Sequence, residues 1–110
     1  MFNKVLVPVD GSEASMKAVE TARKLVEKGS AREVSLLHVV QAGDVVAVNA
    51  LELYDDPTIV AKQVLEKARK VMGTQTPAAV LLEAGLPADI ICRIARKDNY
   101  DLIIIGNRGL

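Results

Sequence analysis

Four short apolar runs, spaced along the whole chain, constrain the fold more than any other feature of the sequence. Each run is rich in valine, isoleucine or leucine, the composition of β-strands. The runs are mostly continuous, which is typical of parallel strands that helices cover on both faces. Pro8 has no N–H for a ladder hydrogen bond, so we expect it near the carboxyl end of its strand. The predicted strands are residues 5–9, 34–40, 79–84 and 102–105.

The interval between the first two runs has the pattern of an amphipathic helix. Ser12 can cap its N-terminus, and Gly29 follows its last periodic residue as a left-handed terminator. The apolar residues recur at the spacing of one helix face, with charged residues on the opposite side. The predicted inward face is Ala18, Val19, Ala22, Leu25 and Val26.

Two further helices are predicted by the same signals. The second begins at residues 56–57, an Asp-Pro pair, and ends before Gly73. The third begins at Pro87 and breaks at residues 98–99. The predicted inward stripes are Val60, Val64, Ala68 and Val71 in the second helix, and Ile90, Ile91, Ile94 and Ala95 in the third.

This strict alternation of strands and helices predicts one α/β domain over residues 1–110. The expected architecture is a doubly wound parallel sheet with right-handed crossovers, in three α/β/α layers of Rossmann-like or flavodoxin-like type. Residues 41–55 form an unusually long and apolar connection. Such a segment is either a functional flap, an interface, or a short helix that packs on the sheet.

The composition excludes several classes of function. The chain has 14 basic and 14 acidic residues, so it has no net charge to attract nucleic acid or an anionic membrane. It has three aromatic residues, too few for base-stacking platforms. Cys92 has no partner for an intramolecular disulfide, and no apolar run reaches the length of about 18 residues that spans a bilayer. With no signal-peptide pattern at the start, we expect a soluble cytoplasmic protein.

Candidate ligand-binding residues follow the first and fourth strands. Ligands of open α/β sheets bind beyond the carboxyl ends of the strands, where the strand order reverses. Gly106 and Gly109 would let the backbone approach a ligand closely, with Arg108 as a phosphate-binding charge, or they form an ordinary turn. Asp10 can accept hydrogen bonds from a ribose or bind a cation, or it forms a turn or caps the next helix.

Other residues of interest have structural explanations. His38 lies inside an apolar run and has no second histidine nearby in the sequence, so we interpret it as a hydrogen-bonded structural residue. Cys92 is predicted to pack in the core or along its helix. The chain has no Walker A loop, no Gly-x-Gly-x-x-Gly, no His-Glu-x-x-His and no Cys-x-x-Cys, and no nucleophile has a visible base. We therefore assign no catalytic residue and no metal ligand.

Four segments together resemble the universal stress protein family. They read Lys-Val-Leu-Val-Pro-Val-Asp-Gly-Ser at residues 4–12, Val-Ser-Leu-Leu-His-Val-Val at residues 34–40, Glu-Ala-Gly-Leu-Pro at residues 83–87, and Asp-Leu-Ile-Ile-Ile-Gly-Asn-Arg-Gly-Leu at residues 101–110. The resemblance implies a five-stranded parallel sheet of order 3-2-1-4-5, usually dimeric. A subset of members binds ATP between strands 1 and 4, and Asp10 matches that subset.

The resemblance also implies roles for individual residues. Asp10 would hold the ribose, and the remaining groups would contact the adenine or flank the ribose and first phosphates. The adenine contacts would be Pro8, Val9 and the Val39 main chain, and the flanking residues Ile105, Gly106, Arg108 and Gly109. The second half of the family's ATP motif, with the last helix and strand, would lie after residue 110. Because a bare strand edge is normally covered, we expect about 30 further residues.

Three functional hypotheses follow. The first is an ATP-binding stress-response or regulatory protein, with ATP, alone or with Mg²⁺, as a ligand or a slowly hydrolysed switch. The second is a nucleotide-independent dimeric interaction module of the same family that uses residues 41–55 as its interface. The third is an enzyme related to the adenine nucleotide α-hydrolases, which would need a phosphate loop after the first strand that residues 10–12 do not supply.

Overall fold

The computed structural model describes residues 1–41 and 57–107 and confirms the predicted alternation of strands and helices. Its strands are β1 (Phe2–Pro8), β2 (Ala31–Val40), β3 (Ala79–Ala84) and β4 (Leu102–Ile103), and its helices are α1 (Glu13–Glu27), α2 (Pro57–Met72) and α3 (Pro87–Lys97). Pro8 is the last residue of β1, where its missing N–H costs no ladder hydrogen bond.

All four strands are parallel, in the order β3-β2-β1-β4. Val5 lies between Val34 of β2 and Leu102 of β4 in the register of the sheet. The chain therefore adds β2 and β3 on one side of β1 and then places β4 on the other side of β1. This reversal beside β1 is the mark of a doubly wound sheet, and in such sheets ligands bind beyond the carboxyl ends of the two strands that flank the reversal, here β1 and β4.

Two apolar clusters form the core, one on each face of the sheet. Val5, Val7 and Leu36 pack with α1 and α2, whereas the intervening Leu6 and Leu37 pack with α3. All five side chains are fully buried. Because successive strand residues point to opposite faces, a continuous apolar run is what a strand covered on both sides requires.

Both predicted ends of α1 are confirmed. The Ser12 hydroxyl accepts a hydrogen bond from the Ser15 N–H at 3.1 Å, so Ser12 is the N-cap. Gly29 has φ +76°, the left-handed conformation that ends a helix and that favours glycine. The cap matters for function because it fixes where the helix begins relative to the end of β1.

Two packing predictions were wrong. Val60 is 38% exposed, whereas Val64, one turn later, is buried and lies beside Gly11 in the loop after β1. Cys92 is exposed because α3 buries Ile90 and Ile94, and a residue two positions after Ile90 points to the opposite side.

The prediction for the third strand is confirmed, whereas the predicted fourth strand was too long. β4 ends at Ile103 rather than at residue 105, although the Ile104 N–H still donates to the Leu6 carbonyl at 3.0 Å. Both edge strands leave apolar side chains partly exposed: Val80 at 42%, Leu82 at 39% and Ile103 at 36%. Coverage on both faces therefore holds for the central strands β1 and β2 and fails at the edges.

A polar cluster at the amino end of the sheet holds β4 against β1. The two carboxylate oxygens of Asp101 accept the main-chain N–H groups of Asn3 and Lys4 at 2.8 and 2.9 Å. These hydrogen bonds hold the pKa of Asp101 below its ordinary value. The Lys4 ammonium lies 4.6 Å from the centre of the Tyr100 ring, whose hydroxyl donates to Ser35 at 2.7 Å. These contacts align the start of β4 with β1, and the chain then continues through β4 to Gly106 at the carboxyl edge of the sheet.

Candidate functional site

The described members of the predicted site follow the carboxyl ends of β1, β2 and β4: Pro8, Val9, Asp10, Val39, Ile105 and Gly106. The last register pair of β1 and β2 joins Pro8 to Leu37, and the Val9 N–H donates to the Leu37 carbonyl at 2.7 Å. Val39 is two residues further along β2 and half-buried. Because alternate residues of a strand direct their main-chain groups to the same neighbour, the main chain of Val39 also faces the end of β1.

The loop from β1 to α1 is held by its own side chains. Asp10 Oδ1 accepts the Ser12 N–H at 2.9 Å, and the Asp10 N–H donates to the Ser15 hydroxyl at 3.4 Å. The Ser15 hydroxyl in turn donates to the Ser12 carbonyl at 2.9 Å. Gly11 adopts φ +87°, and a Cβ there would stand 3.2 Å from Val64 Cγ2. The turn-forming interpretation of Asp10 is therefore confirmed, and it places an exposed carboxylate residue beside the first turn of α1.

The same loop touches β2 through His38. Its Nδ1 lies 2.8 Å from the Val9 carbonyl oxygen, and the residue is half-buried. A carbonyl can only accept, so Nδ1 carries the proton and donates. The prediction of a hydrogen-bonded structural histidine is confirmed. Its partner, which the sequence does not show, is the residue that immediately precedes Asp10.

Gly106 makes a close contact with the main chain of α1. A Cβ on Gly106 would collide with the main-chain carbon and oxygen of Ala14 and stand 2.6 Å from the Ser15 nitrogen. The loop after β4 therefore lies directly on the first turn of α1, which explains the glycine without a ligand. Ile105, just before it, is 63% exposed.

The structure thus gathers three chain segments at one place. The ends of β1 and β4 both meet the N-terminus of α1. The end of β2 is hydrogen-bonded to Val9, at the end of β1, through the His38 ring and the Leu37 carbonyl. Helix N-terminal N–H groups carry a partial positive charge that favours anions. Arg108 and Gly109, predicted to extend this site, and residues 42–55 of the long connection lie outside the described residues.

Neither a metal-ligand cluster nor a membrane-spanning helix occurs in the described part of the chain. Residues 1–41 and 57–107 contain no cluster of three or more side chains that could bind a metal ion. None of the helices within these ranges is both long and apolar enough to cross a bilayer.

A family model decides the relationship. The model described as "Universal stress protein family" matches residues 1–110, from the first residue of the chain to the last. The chain belongs to the universal stress protein family. The expected resemblance is therefore confirmed.

Named relatives agree with this assignment. This universal stress protein is 32% identical to "Universal stress protein YxiE" of Bacillus subtilis, over 100% of this chain and 82% of the relative. Among solved structures, that of hypothetical protein MJ0577 matches with 28% identity and a TM-score of 0.76, over 100% of this chain and 80% of the other. A universal stress family protein from Arabidopsis thaliana, solved with AMP bound, matches with 22% identity and a TM-score of 0.70, over 98% and 78%. The last of these shows the fold alone.

Sequence reasoning missed two parts of this universal stress protein's site. The first is Ser15, which is buried and joins the Asp10 N–H to the helix cap. Its spacing of three residues from Ser12 was a usable signal, because an N-cap and the third residue of its helix are natural hydrogen-bonding neighbours. The second is the contact of His38 with Val9, which only the register of β1 and β2 reveals.

Proposed function

We propose that this protein binds an adenine nucleotide, with ATP as the ligand, in the crevice between β1 and β4, and that it acts in the cytoplasm as a nucleotide-regulated stress-response protein. One observation carries the proposal. The loop that bears Asp10 and the loop that bears Gly106 meet on the first turn of α1, at the reversal point of the sheet. Ligands of open α/β sheets bind at such a point.

Each group has a defined task in this proposal. The Asp10 carboxylate accepts hydrogen bonds from the ribose hydroxyls, and the N-terminus of α1 favours the phosphates. The adenine lies between the Pro8–Val9 segment and the main chain of Val39. Ile105 and Gly106 border the ribose, and Arg108 and Gly109 continue this border towards the phosphates.

The structural neighbours support this class of ligand. The Arabidopsis thaliana protein was solved with AMP, and a further universal stress protein of the same fold, 20% identical with a TM-score of 0.62, was solved in complex with cAMP. Both ligands share the adenosine part, which Asp10 and the β1 and β2 ends would recognise here. Mg²⁺, where it takes part, would arrive with the nucleotide, because Mg²⁺ commonly binds through substrate phosphates.

The decisive experiment is calorimetric titration of ATP into the wild-type protein and into Asp10→Asn. Asparagine keeps one oxygen to accept the Ser12 N–H, so the loop is preserved while the charge that attracts ribose hydroxyls is lost. We expect ATP binding to weaken by about 1–3 kcal/mol, roughly 5- to 150-fold. The matched control is Asp98→Asn, which neutralises an exposed acidic residue directly after α3, beside Lys4 at the amino end of the sheet and therefore at the edge opposite to Asp10.

Two results would count against this proposal. Wild-type protein that releases no nucleotide on denaturation and gives no heat with ATP contradicts nucleotide binding itself. Equal affinity in Asp10→Asn and wild type contradicts the assigned role of Asp10. Urea unfolding of each variant separates a loss of affinity from a loss of folded protein.

A nucleotide-independent dimeric interaction module is the second candidate. The partly exposed Val80 and Leu82 on edge strand β3 favour it, because apolar edge strands invite pairing with another chain. Limited proteolysis distinguishes the two functions. ATP protects the loops after β1 and β4 in the first case and has no effect on cleavage in the second.

A further inference from the structure

The peptide group that joins Val9 to Asp10 is held at both of its polar atoms. Its carbonyl oxygen, on Val9, accepts a hydrogen bond from His38 Nδ1 at 2.8 Å. Its N–H, on Asp10, donates to the Ser15 hydroxyl at 3.4 Å. Because a peptide group is planar and rigid, these two contacts fix the orientation of the whole plane.

The neighbouring groups leave this peptide little freedom on either side. On the strand side, the Val9 N–H is bonded to the Leu37 carbonyl at 2.7 Å, and the Val9 side chain is 4% exposed. On the helix side, Ser15 is also 4% exposed and is bonded to Ser12 through both its N–H and its hydroxyl. The Asp10 carboxylate starts from the Cα atom that follows this fixed plane, and its Oδ1 accepts the Ser12 N–H at 2.9 Å.

We infer that His38 is a positioning residue for the nucleotide site, which acts on Asp10 through the Val9 carbonyl. The inference rests on the proposed function and adds a residue to it. His38 stands on β2 next to Val39, so it ties the strand that would contact adenine to the loop that would hold the ribose. Without this hydrogen bond, the Val9–Asp10 peptide plane is no longer held from β2. The Asp10 carboxylate then loses the fixed orientation in which it would bind the ligand.

The hydrogen bond also defines the protonation of the ring. The Val9 carbonyl can only accept, so His38 must carry a proton on Nδ1, whatever the state of Nε2. Nitrogen-15 NMR of the histidine side chain reports which ring nitrogen is protonated. With a single histidine in the chain, the signal needs no assignment.

Two variants test the role of the hydrogen bond. His38→Leu removes the donor, whereas His38→Asn keeps an N–H donor attached to Cγ, as Nδ1 is. We expect ATP affinity to fall about tenfold in His38→Leu and to stay within about threefold of wild type in His38→Asn. In protein without ATP, we expect the amide of Asp10 to exchange with solvent faster in His38→Leu than in wild type or His38→Asn.

Tyr100→Phe is the matched control. It removes another partly buried hydrogen bond to β2, from the Tyr100 hydroxyl to Ser35 at 2.7 Å, three residues before His38 and on the opposite face of the sheet. We expect it to lower stability while ATP affinity and exchange at Asp10 stay unchanged. A merely structural role of His38 predicts that His38→Leu behaves like Tyr100→Phe.

Several results would overturn the inference: equal ATP affinity in His38→Leu and wild type, equal losses in His38→Asn and His38→Leu, or an Nδ1 without a proton. If wild-type protein does not bind ATP, the proposed function is wrong, and the inference is then judged on exchange alone. In that case, faster exchange at Asp10 in His38→Leu supports control of the Asp10 loop by His38, and unchanged exchange refutes it.

Discussion

Replacement of Gly106 by alanine tests the closest approach between the two loops of the candidate site. The added methyl group would meet the main-chain carbon and oxygen of Ala14 and stand 2.6 Å from the Ser15 nitrogen. These atoms belong to the first turn of α1 and cannot rotate away as a side-chain end would. An ordinary contact of 3.4 Å from the Ser15 nitrogen requires the loop and the helix to separate by about 0.8 Å.

Two opposing terms set the expected size of the effect. Overpacking of this kind costs about 1–3 kcal/mol, and rigid backbone on both sides puts Gly106→Ala in the upper half of that range. Gly106 does not adopt a positive φ, so alanine is conformationally acceptable and restricts the unfolded chain, which stabilises by about 0.4–1 kcal/mol. The net expectation is a destabilisation of about 1–2.5 kcal/mol.

Urea unfolding measures this change as a fall of about 1 M in the midpoint, with an unchanged m-value. Gly29→Ala is the comparison, because its Cβ would meet nothing within 4 Å and its only cost arises from φ +76°. We expect Gly106→Ala also to weaken ATP binding, whereas Gly29→Ala leaves it unchanged. A Gly106→Ala protein as stable as wild type, or more stable, would refute the close approach. Its stability would then reflect only the restricted unfolded chain, with no cost from a clash with α1.

Two further predictions concern the ends of the sheet and of α1. Ser12→Ala removes the N-cap hydrogen bond to the Ser15 N–H, and we expect a loss of about 1 kcal/mol in urea unfolding; an unchanged midpoint would show that the cap is replaceable. Asp101 has a folded-state pKa below its ordinary 3.8, so its stabilisation is complete above that value and is lost as pH falls below it. Urea midpoints measured from about pH 6 to pH 3 should therefore fall more steeply in wild type than in Asp101→Asn, and parallel curves would contradict this.

The elements of this fold were predictable because each signal is local. A strand needs a short apolar run, and a helix needs a periodic face with a cap and a terminator; Ser12 and Gly29 supply the last two for α1. The alternation of these elements then limits the topology, since parallel strands with right-handed crossovers leave few arrangements. Even the turn formed by Asp10 depends on residues only two and five positions away.

The errors arose where the answer depends on distant segments. The exposure of Val60 depends on how α2 lies against the loop after β1, and that loop is about fifty residues away in the sequence. The contact that requires a glycine at position 106 is with α1, about ninety residues earlier in the sequence. The hydrogen-bond partner of His38 is Val9, at the end of β1. No local pattern reports these contacts, so a glycine interpreted as a ligand contact proved to have a structural partner as well.

The residues that shape the candidate site act mainly on the backbone. In the proposed complex, the Pro8–Val9 segment, the Val39 main chain and the N–H groups of α1 meet the nucleotide, and main-chain groups are the same in every sequence. The residues that place these main-chain groups are Gly106, through its contact with α1, and His38, through the Val9 carbonyl. By the same argument, a substitution at Gly106 or His38 should alter ligand affinity more than a substitution of equal size in the partly exposed side chain of Phe2, at the amino end of β1.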